Sequence, residues 1–198
     1  MFTDKGIEGA GLFALPEEAV KASGAEYYVL DELPPEPSYM AVQKLVDEFK
    51  TSGADLIVAC GGGSVMDCGK AVAMMATNPG DFWDYVPQGT GGRKRIEIAP
   101  LPIVAISTTA GTGSEVDAGG VITNPETMEK VGIGHPGCFP KLAIVDPELM
   151  VSVPPALTAY QGFDALFHAV EGYVGKRPNF MSDMYALEAV RHLAAWLP

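Results

Sequence analysis

Asp164 and His168 stand four positions apart in the run Gln161-Gly162-Phe163-Asp164-Ala165-Leu166-Phe167-His168. On a helix, residues i and i+4 share a face, with Cβ atoms about 5–6 Å apart. Both side chains then reach one cation. A carboxylate oxygen beside an imidazole nitrogen suits a divalent metal, Fe2+ or Zn2+. Two donors do not complete a site, so further ligands must come from elsewhere. The plain alternative is a histidine satisfied by packing and an aspartate facing water. The apolar flanks Phe163, Leu166, Phe167 and Val170 argue against it, because a buried acid and imidazole need compensation. Glu171 continues the same face and is suited to orienting the imidazole.

Gly61-Gly62-Gly63-Ser64-Val65-Met66-Asp67 carries a second chemistry. Three glycines between an apolar strand-like run and a helical run let backbone N–H groups approach a ligand, and the helix N-terminus adds partial positive charge. A dinucleotide pyrophosphate is the natural guest. Ser64 and Asp67 fall at N-cap and N3 spacing, a variant of the capping box. A tight turn with a well-capped helix explains the same residues, and the pattern is not G-x-G-x-x-G.

Ser107-Thr108-Thr109-Ala110-Gly111-Thr112-Gly113-Ser114-Glu115 follows another apolar run, and hydroxyls at a strand's carboxyl end suit phosphate or ribose. Asp4 follows Met1-Phe2-Thr3. A carboxylate there accepts from ribose hydroxyls and repels a 2′-phosphate, which favours NAD over NADP. A helix-capping aspartate is the plain alternative. Cys60 and Cys68 flank the glycine loop without a neighbouring histidine, so no thiol nucleophile is expected. His135 and His192 read as ordinary, and Met74-Met75 and Phe82-Trp83 as core.

The elements that must position these groups follow from pattern. Met1–Thr3 reads as the end of a strand, 11–22 as a helix stopped near Gly24, and Glu26–Leu30 as a strand. Pro34, Pro35 and Pro37 make a stiff connection before Ser38, an N-cap for a helix ending at Gly53. Asp55–Cys60 and Leu101–Ile106 read as buried strands, and Leu142–Asp146 as a further short strand. A helix runs from Val65 to about Ala76. Gly119–Thr123 and Met128–Gly132 form a hairpin around Asn124-Pro125-Glu126-Thr127. After a Val151–Pro155 linker the chain is helical over 156–174 and 182–197. Strands alternating with helices imply an α/β fold with a parallel sheet over 1–150, and 151–198 begins an all-helical domain.

The 198 residues are globular in composition, with a formal net charge of −12. No basic cluster exceeds Arg93-Lys94-Arg95, which speaks against nucleic acid and anionic membranes as partners. The first residues show no signal-peptide pattern, and no apolar run reaches the roughly 20 residues that span a bilayer. Three cysteines without a C-x-x-C fit a reducing cytoplasm.

The ordered set Thr3-Asp4, Gly61-Gly62-Gly63-Ser64-x-x-Asp67-x-x-Lys70, Thr108-Thr109-Ala110-Gly111-Thr112-x-x-Glu115 and Pro154-Pro155-x-Leu157-x-Ala159-x-x-Gly162-x-Asp164-Ala165-x-x-His168-x-x-Glu171 resembles the iron-containing (group III) alcohol dehydrogenase family. Butanol and 1,3-propanediol dehydrogenases are similar members. The resemblance covers essentially all 198 residues. It implies a Rossmann-like dinucleotide-binding domain over 1–150 and the first helices of a metal-binding domain over 151–198, the dehydroquinate synthase-like arrangement. It also implies NAD(P) contacts at Asp4, Gly61, Gly62, Gly63, Ser64, Asp67, Thr108, Thr109, Thr112 and Lys130. In such enzymes one Asp and three His hold the metal, and Asp164 and His168 match the first two.

The family's other two histidines lie beyond residue 198, and its members carry a segment ahead of Thr-Asp. The resemblance therefore implies about the first half of such an enzyme, inactive alone. Asp117 stands where some relatives place a further hydroxyl. The implied activity is reversible oxidation of a primary alcohol or diol to an aldehyde by NAD and a divalent metal, in a homo-oligomer at full length. The alternatives are a non-catalytic nucleotide-binding remnant and a glycerol dehydrogenase-type enzyme. A half enzyme would also leave apolar helix faces uncovered at Leu157, Leu166, Val170, Leu187, Val190 and Trp196.

Overall fold

Runs without a polar face become strands covered on both sides, and runs with apolar residues at three- and four-residue steps become helices laid against them. In chain order the elements are α1 (Lys5–Gly9), α2 (Ala14–Ser23), α3 (Tyr39–Ser52), β1 (Ile57–Gly61), α4 (Gly63–Thr77), β2 (Ile103–Ser107), β3 (Gly119–Asn124), β4 (Glu129–Gly134), β5 (Leu142–Val145), α5 (Pro155–Val174) and α6 (Phe180–Trp196). The computed structural model describes residues 1–34, 36–176 and 179–197. Pro35, part of the stiff connection expected from sequence, lies outside the described residues.

β1, β2 and β5 form a parallel sheet in the order β1-β2-β5, with Ile57 opposite Ile103 and Gly61 opposite Ser107. Phe2 extends the sheet by parallel bridges to Ala59 on one side and Leu30 on the other. β3 and β4 pair as an antiparallel hairpin, Thr123 opposite Lys130. The chain divides into two compact units, one of Met1–Thr108 with Ser114–Leu149, the other of Thr109–Gly113 with the chain from Met150 onward.

In the first unit, α3 contributes Val42, Val46 and Phe49 to a core that α4 fills with Val65, Val72, Met74 and Met75, all against Ile57, Ala59 and Ile103. Each such side chain stabilises the fold by about 1.5–3 kcal/mol when fully buried. Phe13, Cys60 and Ile106 make a smaller cluster. Ser38 caps α3 through Ala41 N–H at 3.2 Å, and Gly53 ends it at φ +70°. In the second unit, α5 and α6 pack on each other with only Gly162, Ala169 and Ala186 buried in their helical spans. No helix among the described residues is long and apolar enough to cross a membrane.

Four expectations need correction. Glu26–Leu30 is not a continuous strand. Leu30 alone forms a bridge, donating to Met1 O and accepting from Thr3 N–H, while Tyr28 O accepts only from the Met1 ammonium. The helix expected from residue 11 starts at Ala14, since Gly11 turns at φ +74°, and a separate one-turn helix, α1, precedes it. Ser64 does not cap α4. Gly62 is the N-cap, and no side chain caps that end. Finally, Asp164 and His168 are not buried among their apolar neighbours. Their side chains are 46% and 57% exposed, and Phe163, Phe167 and Val170 are exposed beside them.

Candidate functional site

Neighbouring parallel strands end together, and their carboxyl ends gather the polar groups of the first unit. The bridge between Phe2 and Ala59 brings Asp4 level with Gly61 two residues later, and Gly61 lies opposite Ser107. Thr108 N–H then donates to Gly61 O at 3.1 Å. Asp4, Gly61 and Thr108 therefore form one row. The Asp4 carboxylate caps α1, with Oδ1 accepting from Gly6 N–H at 2.7 Å and Ile7 N–H at 3.0 Å. A carboxylate offers about four lone-pair sites, so Oδ2 keeps acceptor capacity for a ligand.

Gly61 cannot be another residue without rearrangement, because a Cβ there would sit 2.5 Å from Val65 Cγ2. The tight approach lets β1 turn directly into α4. Gly62 is the N-cap with no capping side chain, and its carbonyl accepts from Val65 N–H at 3.1 Å and Met66 N–H at 3.2 Å, so the backbone of the glycine loop itself forms this helix start, the kind of terminus that suits an anion. Thr3 and Thr108 are fully buried, and neither Oγ1 has a hydrogen-bond partner. A buried hydroxyl left so costs about 1–3 kcal/mol. Lys130 is elsewhere on this unit, exposed on β4, with its ammonium 3.6 Å from Glu36 Oε1.

In the second unit, the Thr109–Gly113 segment packs on α5. Ala110 N–H donates to Gln161 Oε1 at 3.0 Å, and a Cβ on Gly111 would lie 2.9 Å from Gln161 O. Thr109 and Thr112 belong to this segment, apart from Thr108 in the first unit. Further along α5, His168 Nε2 lies 3.6 Å from Asp164 Oδ1. Two donors held at about 2.0–2.1 Å on one tetrahedral cation are separated by about 3.3 Å, so the pair fits a shared ion with a small adjustment. No cluster of three or more His, Cys, Asp or Glu able to hold a metal occurs among the described residues.

With that geometry in view, the comparison with known proteins is decisive. The family profile described as iron-containing alcohol dehydrogenase matches residues 1–147. The chain belongs to the iron-containing alcohol dehydrogenase family. It is 39% identical over 197 residues to choline dehydrogenase of Bacillus subtilis, covering 100% of this chain and 48% of that protein. It is 38% identical to 1,3-propanediol dehydrogenase of Klebsiella pneumoniae, covering 98% and 49%. The solved structure of sulfoacetaldehyde reductase from Bifidobacterium kashiwanohense in complex with NAD+ superposes with a TM-score of 0.88 at 38% identity, covering 99% of this chain and 50% of that one. The chain thus spans about half the length of the curated relatives it matches.

One group in this family member is not apparent from spacing alone. Lys70 is 1% exposed, and its ammonium donates to Ser114 Oγ at 2.8 Å, Asp117 Oδ1 at 2.6 Å and Gly119 O at 2.7 Å. Ser114 Oγ in turn donates to Asp67 Oδ1 at 2.9 Å, and Val121 N–H donates to Asp67 Oδ2 at 2.9 Å. Burial pushes the Asp67 carboxyl above its ordinary pKa, partly offset by the Val121 amide and Ser114. Asp67 and Lys70 thereby bind the first turns of α4 to the 114–121 segment. In sequence the pair shows only as the x-x-Asp67-x-x-Lys70 end of the glycine-loop motif, at i, i+3 spacing, with no sign of the partners it reaches.

Proposed function

We propose that this protein is a metal-dependent oxidoreductase that moves hydride between a primary alcohol or diol and NAD. The observation that carries the reading is the Asp4–Gly61–Thr108 row at the carboxyl ends of parallel strands, in a chain of the iron-containing alcohol dehydrogenase family. The first-turn amides and dipole of α4 hold the pyrophosphate behind Gly61, Gly62, Gly63 and Ser64. Asp4 accepts from a ribose hydroxyl, and its charge disfavours NADP. Asp67 keeps the loop behind that contact in place. Thr108 and Lys130 are the first unit's further candidates for nucleotide contacts.

Asp164 and His168 are the chain's donors to a divalent metal, iron or zinc, and their 3.6 Å separation supports that role. When bound, the metal supplies Lewis-acid stabilisation of the alkoxide. No protein nucleophile is then required, in keeping with the buried, high-pKa thiols. The named relatives act on choline, 1,3-propanediol and sulfoacetaldehyde, so the alcohol is left open within that class. A cytoplasmic location and a homo-oligomeric whole protein belong to the same proposal.

For the 198-residue chain by itself, two metal donors favour nucleotide binding without turnover. The test is NADH titration by fluorescence, followed by assay with butanol, NAD and added iron or zinc. Binding without turnover is expected. Turnover at ordinary enzyme rates overturns the inactivity. A folded chain that ignores NADH overturns the dinucleotide reading.

A further inference from the structure

We infer that Lys70 is a positioning residue for the dinucleotide: its buried ammonium offsets the carboxylates of Asp67 and Asp117 behind the glycine loop, so that the start of α4 accepts an anionic pyrophosphate. The inference rests on the reading of that loop as the dinucleotide site.

The difficulty at this site is charge. The chain carries a formal net charge of −12, and a pyrophosphate brings more negative charge to it. Asp4 already places a carboxylate on the row at the strand ends. Asp67 stands four residues after Gly63, the first residue of α4, and so about 6 Å along the helix axis. The positive end of a helix amounts to about half a unit charge and fades within the first turn. One carboxylate at that depth is enough to cancel it, and Asp117 brings a second.

Lys70 lies one turn further along the same helix, 1% exposed. A lysine so deeply buried needs a partner for its charge. An ammonium has three N–H donors, and here they meet Ser114 Oγ at 2.8 Å, Asp117 Oδ1 at 2.6 Å and Gly119 O at 2.7 Å. Ser114 Oγ also donates to Asp67 Oδ1 at 2.9 Å, so one hydroxyl separates the ammonium from the second carboxylate. Lys70 favours the charged form of Asp67 and Asp117 opposes it, so the three charges act as one group. That group carries one net negative charge with Lys70 and two without it. The side chain of Asp117 is 52% exposed and that of Lys70 is 2%, so water screens the anion more than the cation. At an effective dielectric constant of about 20, a unit charge about 10 Å from a phosphate alters its affinity by about tenfold.

The test is NADH titration by fluorescence on the parent chain, Lys70→Met, Asp117→Asn and the double variant, each checked by circular dichroism and for Tm. Lys70→Met is expected to weaken NADH by about tenfold. Asp117→Asn keeps an acceptor oxygen for the ammonium and removes a negative charge, so it should tighten NADH by about threefold or more while Tm stays level or falls. The double variant should recover most of the affinity lost in Lys70→Met. Adenosine, which carries no phosphate, should compete equally well in parent and variants. A purely structural Lys70 gives the opposite sign for Asp117→Asn, with affinity following Tm. Asp117→Asn binding NADH no better than the parent overturns the inference, and this arm decides even where Lys70→Met does not fold. A double variant no better than Lys70→Met, or an equal loss for adenosine, overturns it as well. These results in a parent that binds NADH sink the inference alone, whereas a folded parent that ignores NADH sinks the dinucleotide reading and the inference with it.

Discussion

The buried Lys70 ammonium gathers three acceptors, and each loses that donor if it is removed, although Asp117 Oδ1 keeps Gly119 N–H at 2.9 Å. Asp117 is half-exposed and recovers some hydration, so the cost falls below that of a fully buried broken ion pair. Lys70→Met is expected to lower stability by about 2 kcal/mol or more, read from urea unfolding. A loss under half that would show that the 114–121 segment holds without it. The thiols make a second prediction. Burial pushes Cys60 and Cys138 to about 11 and Cys68 to about 12, above the ordinary 9.0. Iodoacetamide at pH 8 should leave all three unmodified until the chain unfolds. The sign of the pH effect follows. Thiols of the unfolded chain ionise near 9 while the buried ones stay protonated, so stability is full below 9 and falls as pH rises through about 11. Thermal unfolding followed from pH 8 to 11 would reveal a flat profile if the thiols were accessible.

The β3–β4 hairpin closes with Met128 at φ +54°, 87% exposed. A side chain in the left-handed region costs about 1–2 kcal/mol, and this one has no packing to lose. Met128→Gly is expected to raise stability by about 0.5–1 kcal/mol after glycine's own entropy cost, and an unchanged or lower Tm would contradict it. Gly61→Ala drives a Cβ into Val65 where β1 enters α4. It should weaken NADH binding more than it lowers Tm, and equal affinity for both forms would remove that turn from the nucleotide site. β1, β2, the hairpin and α3 to α6 were legible in sequence because each carries its own period and punctuation. The Glu26–Leu30 strand and the Ser64 cap were not, because strand pairing needs a neighbour and a cap depends on where the helix actually begins.

At the scale of the chain, stability should be uneven. The first unit buries two apolar clusters, whereas α5 and α6 bury three small residues in their helical spans. Hydrogen exchange should therefore be at least about 100-fold faster in α5 and α6 than in β1, β2 and α4, and uniform protection would overturn this. Of the apolar helix positions foreseen as uncovered, Leu157, Val170, Leu187 and Trp196 are exposed, while Leu166 and Val190 are only partly so. Sequence alone determined the glycine loop, the Asp164–His168 spacing and the alternation that makes a parallel sheet, since these depend on neighbours in the chain. The Asp4–Gly61–Thr108 row, the Lys70–Ser114–Asp67 network and the exposure of Asp164 and His168 were decided only by tertiary structure. Each depends on register or burial between segments tens of residues apart, and no local preference encodes that.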